Sequence, residues 1–314
     1  MKIATFNINN VNKRLPNLLA WLKSSKPDIV CLQELKADQA DFPEDALLKA
    51  GYTSAWVGQR TWNGVAILAR NAEIFVTRRR LPGDPKDDQS RYIEAVIEGV
   101  VVACLYAPNG NPMPGPKFDY KLAWLKRLNR HAATLRKTGA PIVLAGDFNV
   151  VPTAADIYPT KSWDKDALVQ PEARKLLAAL LAKGWTDALR AMHPEAVPYT
   201  FWTYWRGRFE RDAGLRIDHL FLDPQLADRL RKAGVDRKIR ARPRPAITPR
   251  HGLSWNDLRL LPGVHDLQRS LVLLAAVIPL QNFFIWCAAA IDFAEQRHRR
   301  PEFLIVGRTE DIVR

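Results

Sequence analysis

The apolar positions of this chain follow two alternating periods. "KIATFNI" has the composition of a strand, and Leu15, Leu18, Leu19 and Leu22 then recur at helical spacing until Pro27 stops them. "DIVCLQE" and "GVAILAR" are short buried-strand runs, and "YIEAVIEGVVVACLYAP" divides into two strands turning near Glu98-Gly99. A long helical face follows on Phe118, Leu122, Leu125, Leu128 and Leu135. "PIVLAGDFN" is a strand ending in polar residues. Leu176, Leu177, Leu180 and Leu181 mark a helix closing at Gly184, and "LRIDHLFL" is a further strand. This alternation, with short connections and no repeat, predicts one α/β domain over residues 1–245.

Beyond Ala241 the texture changes. Prolines 243, 245 and 249 interrupt any element, and neither period survives through Pro262. The apolar run 271–291 is long enough to span a bilayer, but Pro279, Gln281 and Asn282 break its middle, so no membrane partner is expected. Residues 246–314 read as an aberrant tail.

Composition changes this picture in two ways. The net charge of +14 favours a polyanionic partner, since neutralising a phosphate backbone releases counterions. Part of that charge is discounted, because residues 229–250 hold nine basic groups against Asp236 alone, where the pattern is failing. Cys31, Cys104 and Cys287 show no CxxC spacing, which speaks against a zinc site or a disulfide framework. "MKIATFNINN" carries no export signal, so a cytoplasmic monomer is expected.

Several strands end in a polar group that packing does not require: Asn7, Glu34, Tyr106, Asp147 with Asn149, and Asp218 inside its strand. Singly, each has a bland explanation, with Asn7 starting a turn, Glu34 entering a loop and Asp147 capping a short helix. Together they describe a site where strand ends converge. Oxygen donors without Cys or clustered His suit a hard cation such as Mg²⁺. A carboxylate able to take a proton from water, beside such an ion, is equipment for phosphodiester hydrolysis. His219 directly follows Asp218 on a strand, so the two point to opposite faces, and His219 is read as packing.

The ordered set "FNINN", "LQELK", "NGVAILAR", "YAPNG", "YKLAWLKRL", "LAGDFNVVPT", "YTFWTYW" and "GLRIDHLFLDP" resembles the exonuclease III family of the endonuclease/exonuclease/phosphatase superfamily. The resemblance implies a four-layered, DNase I-like α/β sandwich of two packed mixed sheets flanked by helices. It implies Mg²⁺ dependence, with Mn²⁺ as an alternative, and double-stranded and abasic-site DNA as partners. By that resemblance Glu34 is a metal ligand and Asn7 a metal-site or phosphate-positioning group. Asp147 activates water, Asn149 orients the scissile phosphate, Tyr106 lies beside the leaving group, and Asp218 is a second supporting carboxylate. Arg91, Asn109 and Lys121 would hold the DNA backbone. Trp202 and Trp205 resemble the segment that reaches into DNA at an abasic site, with plain core packing as the other reading of Trp202.

The family closes on a Ser-Asp-His-Ala-Pro motif and a final apolar strand, and here the chain departs from it. After Pro245 it reads Ala-Ile-Thr-Pro-Arg-His-Gly-Leu-Ser-Trp. Read one base back, codons for that peptide admit AGC GAT CAC GCC CCG GCA TGG, which encodes Ser-Asp-His-Ala-Pro-Ala-Trp. A one-base deletion near the Pro245 codon accounts for the break and makes His251 an out-of-frame coincidence. The final strand is then expected to be lost, leaving its neighbour unpaired. Two competing readings are a catalytically impaired homologue lacking the Asp-His pair, and a superfamily phosphatase acting on a lipid or inositol phosphate.

Overall fold

The computed structural model describes residues 1–195, 198–203, 205–237 and 302–306. In chain order the strands are β1 (Lys2–Asn7), β2 (Ile29–Gln33), β3 (Tyr52–Val57), β4 (Val65–Arg70), β5 (Phe75–Arg78) and β6 (Tyr92–Ile97). They continue with β7 (Val100–Tyr106), β8 (Ile142–Asp147), β9 (Thr186–Asp187), β10 (Asp218–Leu222), β11 (Lys232–Asp236) and β12 (Glu302–Val306). The helices are α1 (Val11–Ser25), α2 (Glu44–Lys49), α3 (Pro116–Arg136), α4 (Pro171–Leu181), α5 (Ala188–Met192) and α6 (Pro224–Ala227).

The strands form two mixed sheets, ordered β11-β12-β1-β2-β4-β3 and β5-β6-β7-β8-β10-β9. Alternation along each strand sends one set of side chains between the sheets and the other set under helices. Ile3, Cys31 and Ile67 of the first sheet share the central core with Ile93, Cys104, Val143 and Leu220 of the second. On the outside, Leu18, Trp21 and Leu22 of α1 cover Ala4, Phe6, Val30 and Leu32. Trp124, Leu125 and Leu128 of α3, with Leu177 and Leu180 of α4, cover Val101, Ala103 and Leu144. The result is the four-layered sandwich expected from the sequence. The turn expected at Glu98-Gly99 joins β6 to β7 with positive φ at both residues (46° and 74°), the geometry a two-residue hairpin loop favours.

Directions of the strands decide where the chemistry gathers. β1 runs parallel to β2, and β7 parallel to β8, so Asn7, Tyr106 and Asp147 arrive at carboxyl ends. β10 is antiparallel to β8, which puts its first residue, Asp218, directly opposite Asp147. Asp218, read from the sequence as lying within a strand, is thus a strand-end residue too.

One expectation fails. The edge of β1 is not left unpaired, because β12 lies between β1 and β11, parallel to both, with Lys2 paired to Glu302 and Asp236 to Val306. An apolar strand with free N–H and C=O groups is a template for any extended apolar segment, and "EFLIV" is one. Residues 246–301, including the apolar run 271–291 and His251, lie outside the described residues; among the described residues no helix is long and apolar enough to cross a membrane.

Candidate active site at the sheet ends

The centre of the site is Asn7. Its Nδ2 donates to Glu34 Oε1 (2.9 Å) on its own sheet and to Asp147 Oδ2 (3.0 Å) across the sandwich. One amide therefore ties β1, the end of β2 and the end of β8 together. Both amide hydrogens are committed, and Oδ1 is left buried without a hydrogen-bond partner. Tyr106 Oη donates to the same Glu34 Oε1 (2.9 Å), while Lys36 Nζ lies 3.1 Å from Glu34 Oε2. Glu34, Asp147 and Asp218 are all buried.

The turn after β8 is built with care for position. A Cβ at Gly146 would lie 1.9 Å from the Leu105 carbonyl oxygen, so only glycine lets β8 approach β7 there. Asn149 adopts a left-handed backbone (φ 50°), as do Glu34 (54°) and Lys36 (49°), and such strain in non-glycine residues clusters at functional sites. Its N–H donates to Asp147 Oδ1 (2.9 Å), and its Nδ2 donates to the Ala107 carbonyl (2.8 Å), leaving one Nδ2 hydrogen available. Arg91 stacks over Tyr106 (4.8 Å to the ring centroid), and Asn109 Nδ2 reaches Asn149 Oδ1 at 3.4 Å.

Two buried cations brace this turn from beneath. Lys121, expected at the DNA backbone, is fully buried, and its Nζ donates to the carbonyls of Asn109 (2.9 Å), Asn149 (2.6 Å) and Ala167 (2.9 Å). All three ammonium hydrogens are matched, so the residue holds loops together and has none for a phosphate. Burial pushes its pKa down to about 7, against the attraction of Asp166 and Asp147. Arg216, also buried, pairs with Asp156 (2.9 Å) and Asp187 (2.6 Å) and donates to His219 Nδ1 (3.0 Å). Because a guanidinium only donates, His219 Nδ1 accepts, and Nε2–H donates to the Val150 carbonyl (3.1 Å). Burial, then the Arg216 charge, push the His219 pKa down to about 4, so it is neutral near pH 7.

Of the two readings of Trp202, its surroundings are those of core packing. It is 1% exposed, donates from Nε1 to Asp212 Oδ1 (3.0 Å) and meets Phe209 edge-on, which is packing. Trp205 opens a short 3₁₀ turn, Trp205–Gly207, and its side chain lies outside the described part of the structure. Among the described residues, two indoles that sequence reasoning passed over are accessible beside a cation. Trp62, 66% exposed, has Lys36 4.6 Å above its ring, and half-buried Trp163 lies under Arg208. Neither sits in a periodic segment, so only the composition of the two loops marked them.

The donor set fits a hard cation. Among the described residues no three His, Cys, Asp or Glu side chains cluster as a metal-binding group. Mg²⁺, however, keeps several waters and needs only one or two carboxylates plus substrate oxygens. Glu34 and the orphaned Asn7 Oδ1 are oxygen donors of that kind.

The profile of the Endonuclease/Exonuclease/phosphatase family matches residues 4–240. Exodeoxyribonuclease III of Haemophilus influenzae is 31% identical over 271 residues, covering 82% of this chain and 100% of its own. An AP endonuclease from Archaeoglobus fulgidus is 36% identical, with a TM-score of 0.68, covering 72% of this chain and 88% of its own. The 3′ phosphatase NExo from Neisseria, solved bound to a product DNA hairpin, is 39% identical with a TM-score of 0.68 and the same two coverages.

Proposed function

The chain belongs to the exonuclease III/AP endonuclease family of the Endonuclease/Exonuclease/phosphatase superfamily, and from that premise we propose a Mg²⁺-dependent DNA phosphodiesterase. It would act as a 3′-to-5′ exodeoxyribonuclease and abasic-site endonuclease in base excision repair. The observation that carries this reading is the Asn7 amide bridging Glu34 and Asp147. It sets a carboxylate able to take a proton from water beside oxygen donors suited to a cation.

In this mechanism Glu34 and Asn7 Oδ1 would hold the ion, which would supply Lewis-acid stabilisation of charge on the phosphate oxygens. Asp147 accepts the proton of the attacking water. The Asn149 N–H and the Asn7 amide orient its two oxygens, so the carboxylate has one rotamer in which to do so. The remaining Asn149 Nδ2 hydrogen orients the scissile phosphate, and Tyr106, held by Glu34 and stacked under Arg91, stands by the leaving oxygen. Asp218, opposite Asp147, supports the site from β10.

The Asp-His pair is missing from the sequence after Pro245. Of the described histidines, His131 is bound to Glu94 and His193 to the Ala233 carbonyl, while His219 is committed to Arg216 and Val150. Activity is therefore expected to be reduced, since one electrostatic stabiliser of developing charge is worth roughly 10²–10³ in rate. Assay on duplexes bearing an abasic site, a 3′-hydroxyl or a 3′-phosphate, alongside inositol phosphate, tests the reading. Hydrolysis of inositol phosphate with DNA untouched would replace it with the phosphatase alternative.

A further inference from the structure

β5 is the outermost strand of the second sheet and, among the described residues, pairs with β6 alone. Its other edge presents main-chain N–H and C=O groups in strand geometry. Phe75 on this strand is 44% exposed, and its ring forms one wall of a cavity of about 250 Å³ between β5 and the C-terminal half of α3. Val101 and Leu135 are the other apolar walls. The space is too small for a drug-sized ligand and ample for one large side chain. Buried Glu94 and His131 complete the lining. Glu94 accepts from Tyr92 Oη (2.7 Å) and Thr77 Oγ1 (2.7 Å) and lies 2.6 Å from His131 Nε2, so this wall is polar but already satisfied. Val101 stands near the start of β7 and Tyr106 at its end, so the cavity opens at the far end of the sandwich from Asn7 and Asp147.

Charge decides the occupant. Arg78, Arg79 and Arg80 follow in succession, all exposed, and exposed Arg130 stands on α3 one turn before Thr134 at the cavity. Arg78 meets Glu94 only at 4.0 Å. Asp84 and Asp87 are spent on Arg127, and Glu94 on its own cluster, which leaves exposed Glu73 as the acid beside the strand. A second copy pairing edge to edge would set these arginines against their own counterparts, a device by which proteins guard an edge from themselves. A nucleic-acid backbone would use the arginines but neither the main-chain edge nor the apolar walls. We propose that the β5 edge docks an extended acidic segment of a partner protein by strand addition, with one large apolar side chain seated in the cavity against Phe75. Main-chain bonds to β5 supply affinity, while the cavity and the arginines select the sequence.

The test follows the fluorescence anisotropy of a labelled peptide, Asp-Asp-Val-Phe-Val-Asp-Asp, titrated with the full chain. Binding in the micromolar range is expected, weakening as salt rises, with a lysine-flanked version of the peptide failing to bind. Methylating the peptide's amides removes donors without touching its side chains. Alternate amides of an added strand face β5 or solvent, so methylating one alternate set should abolish binding and methylating the other should leave it. Phe75→Ala should weaken binding roughly 10-fold or more, and Phe75→Leu by less than about 3-fold. Arg80→Glu should weaken it several-fold at low salt and little at high salt. Melting curves and DNA hydrolysis of these variants should match the wild type, because the cavity is remote from the catalytic end. Absence of binding below about 1 mM peptide would overturn the proposal, as would equal affinity for Phe75→Ala and the wild type. Tolerance of both methylated sets would remove strand addition. Displacement of the peptide by saturating duplex DNA in EDTA would make this a nucleic-acid surface and overturn the proposal too.

Discussion

Lowering pH from about 6.5 towards 4 should cost the fold stability through His219. In the unfolded chain this imidazole titrates near the ordinary value of 6.5, and in the fold at about 4. Between those values the unfolded state binds more protons, so stability falls as pH falls. The slope is at most about 1.4 kcal/mol per pH unit, and the whole window is worth about 3 kcal/mol. The cause is structural: a proton on Nδ1 would face the N–H of Arg216, in a pocket already holding that charge. His219→Gln offers an acceptor to Arg216 and a donor to Val150 but no titration. Denaturant midpoints from pH 4 to 7 should therefore diverge, with the wild type losing stability that the variant keeps. Parallel stability curves for the two proteins would refute the assignment of His219 as a neutral brace.

Asp147→Asn keeps the shape but removes the base, and in a gene repaired near codon 245 turnover should drop by ~10²–10⁴ at constant DNA affinity, measured by single-turnover kinetics. Near-full turnover would move the base role to Asp218. Glu34→Gln should weaken Mg²⁺ binding by titration calorimetry while DNA binding in EDTA persists; unchanged Mg²⁺ affinity would make Glu34 structural. Leu304→Asp places a charge where β12 packs beneath α1, and should cost about 1–3 kcal/mol in denaturant melts, while Glu302→Gln at an exposed position costs nothing measurable.

What the sequence showed, and what it hid, follows from the reach of its signals. Period and punctuation are local, so β1, β2, β4, the β6–β7 hairpin, α3, β8 and α4 were legible, each carrying several apolar positions at one spacing. β3 and β5 were not, because β3 buries only two of its six residues and β5 none, and β12 was hidden because it is recruited from residues 65 beyond the last described neighbour by pairing, not by pattern. Polar residues at strand ends pointed to Asn7, Glu34, Asp147 and Asp218, since a buried strand has no packing reason to end that way. Lys121 misled for a physical reason. A lysine among DNA-binding motifs reads as a phosphate contact, and only the fold reveals three carbonyls converging on it. For Trp202 the sequence left DNA contact and core packing both open, and only the fold shows its N–H satisfied inside the protein.

The most direct test of the nuclease assignment is strand scission of a duplex carrying one abasic site, run with Mg²⁺ and with EDTA on the written chain and on the chain restored to Ser-Asp-His-Ala-Pro. Mg²⁺-dependent scission and 3′-to-5′ shortening are expected from both, abolished by EDTA and roughly 10²–10³ faster after restoration. Products that form equally in EDTA, or intact DNA with the restored chain, would contradict the account.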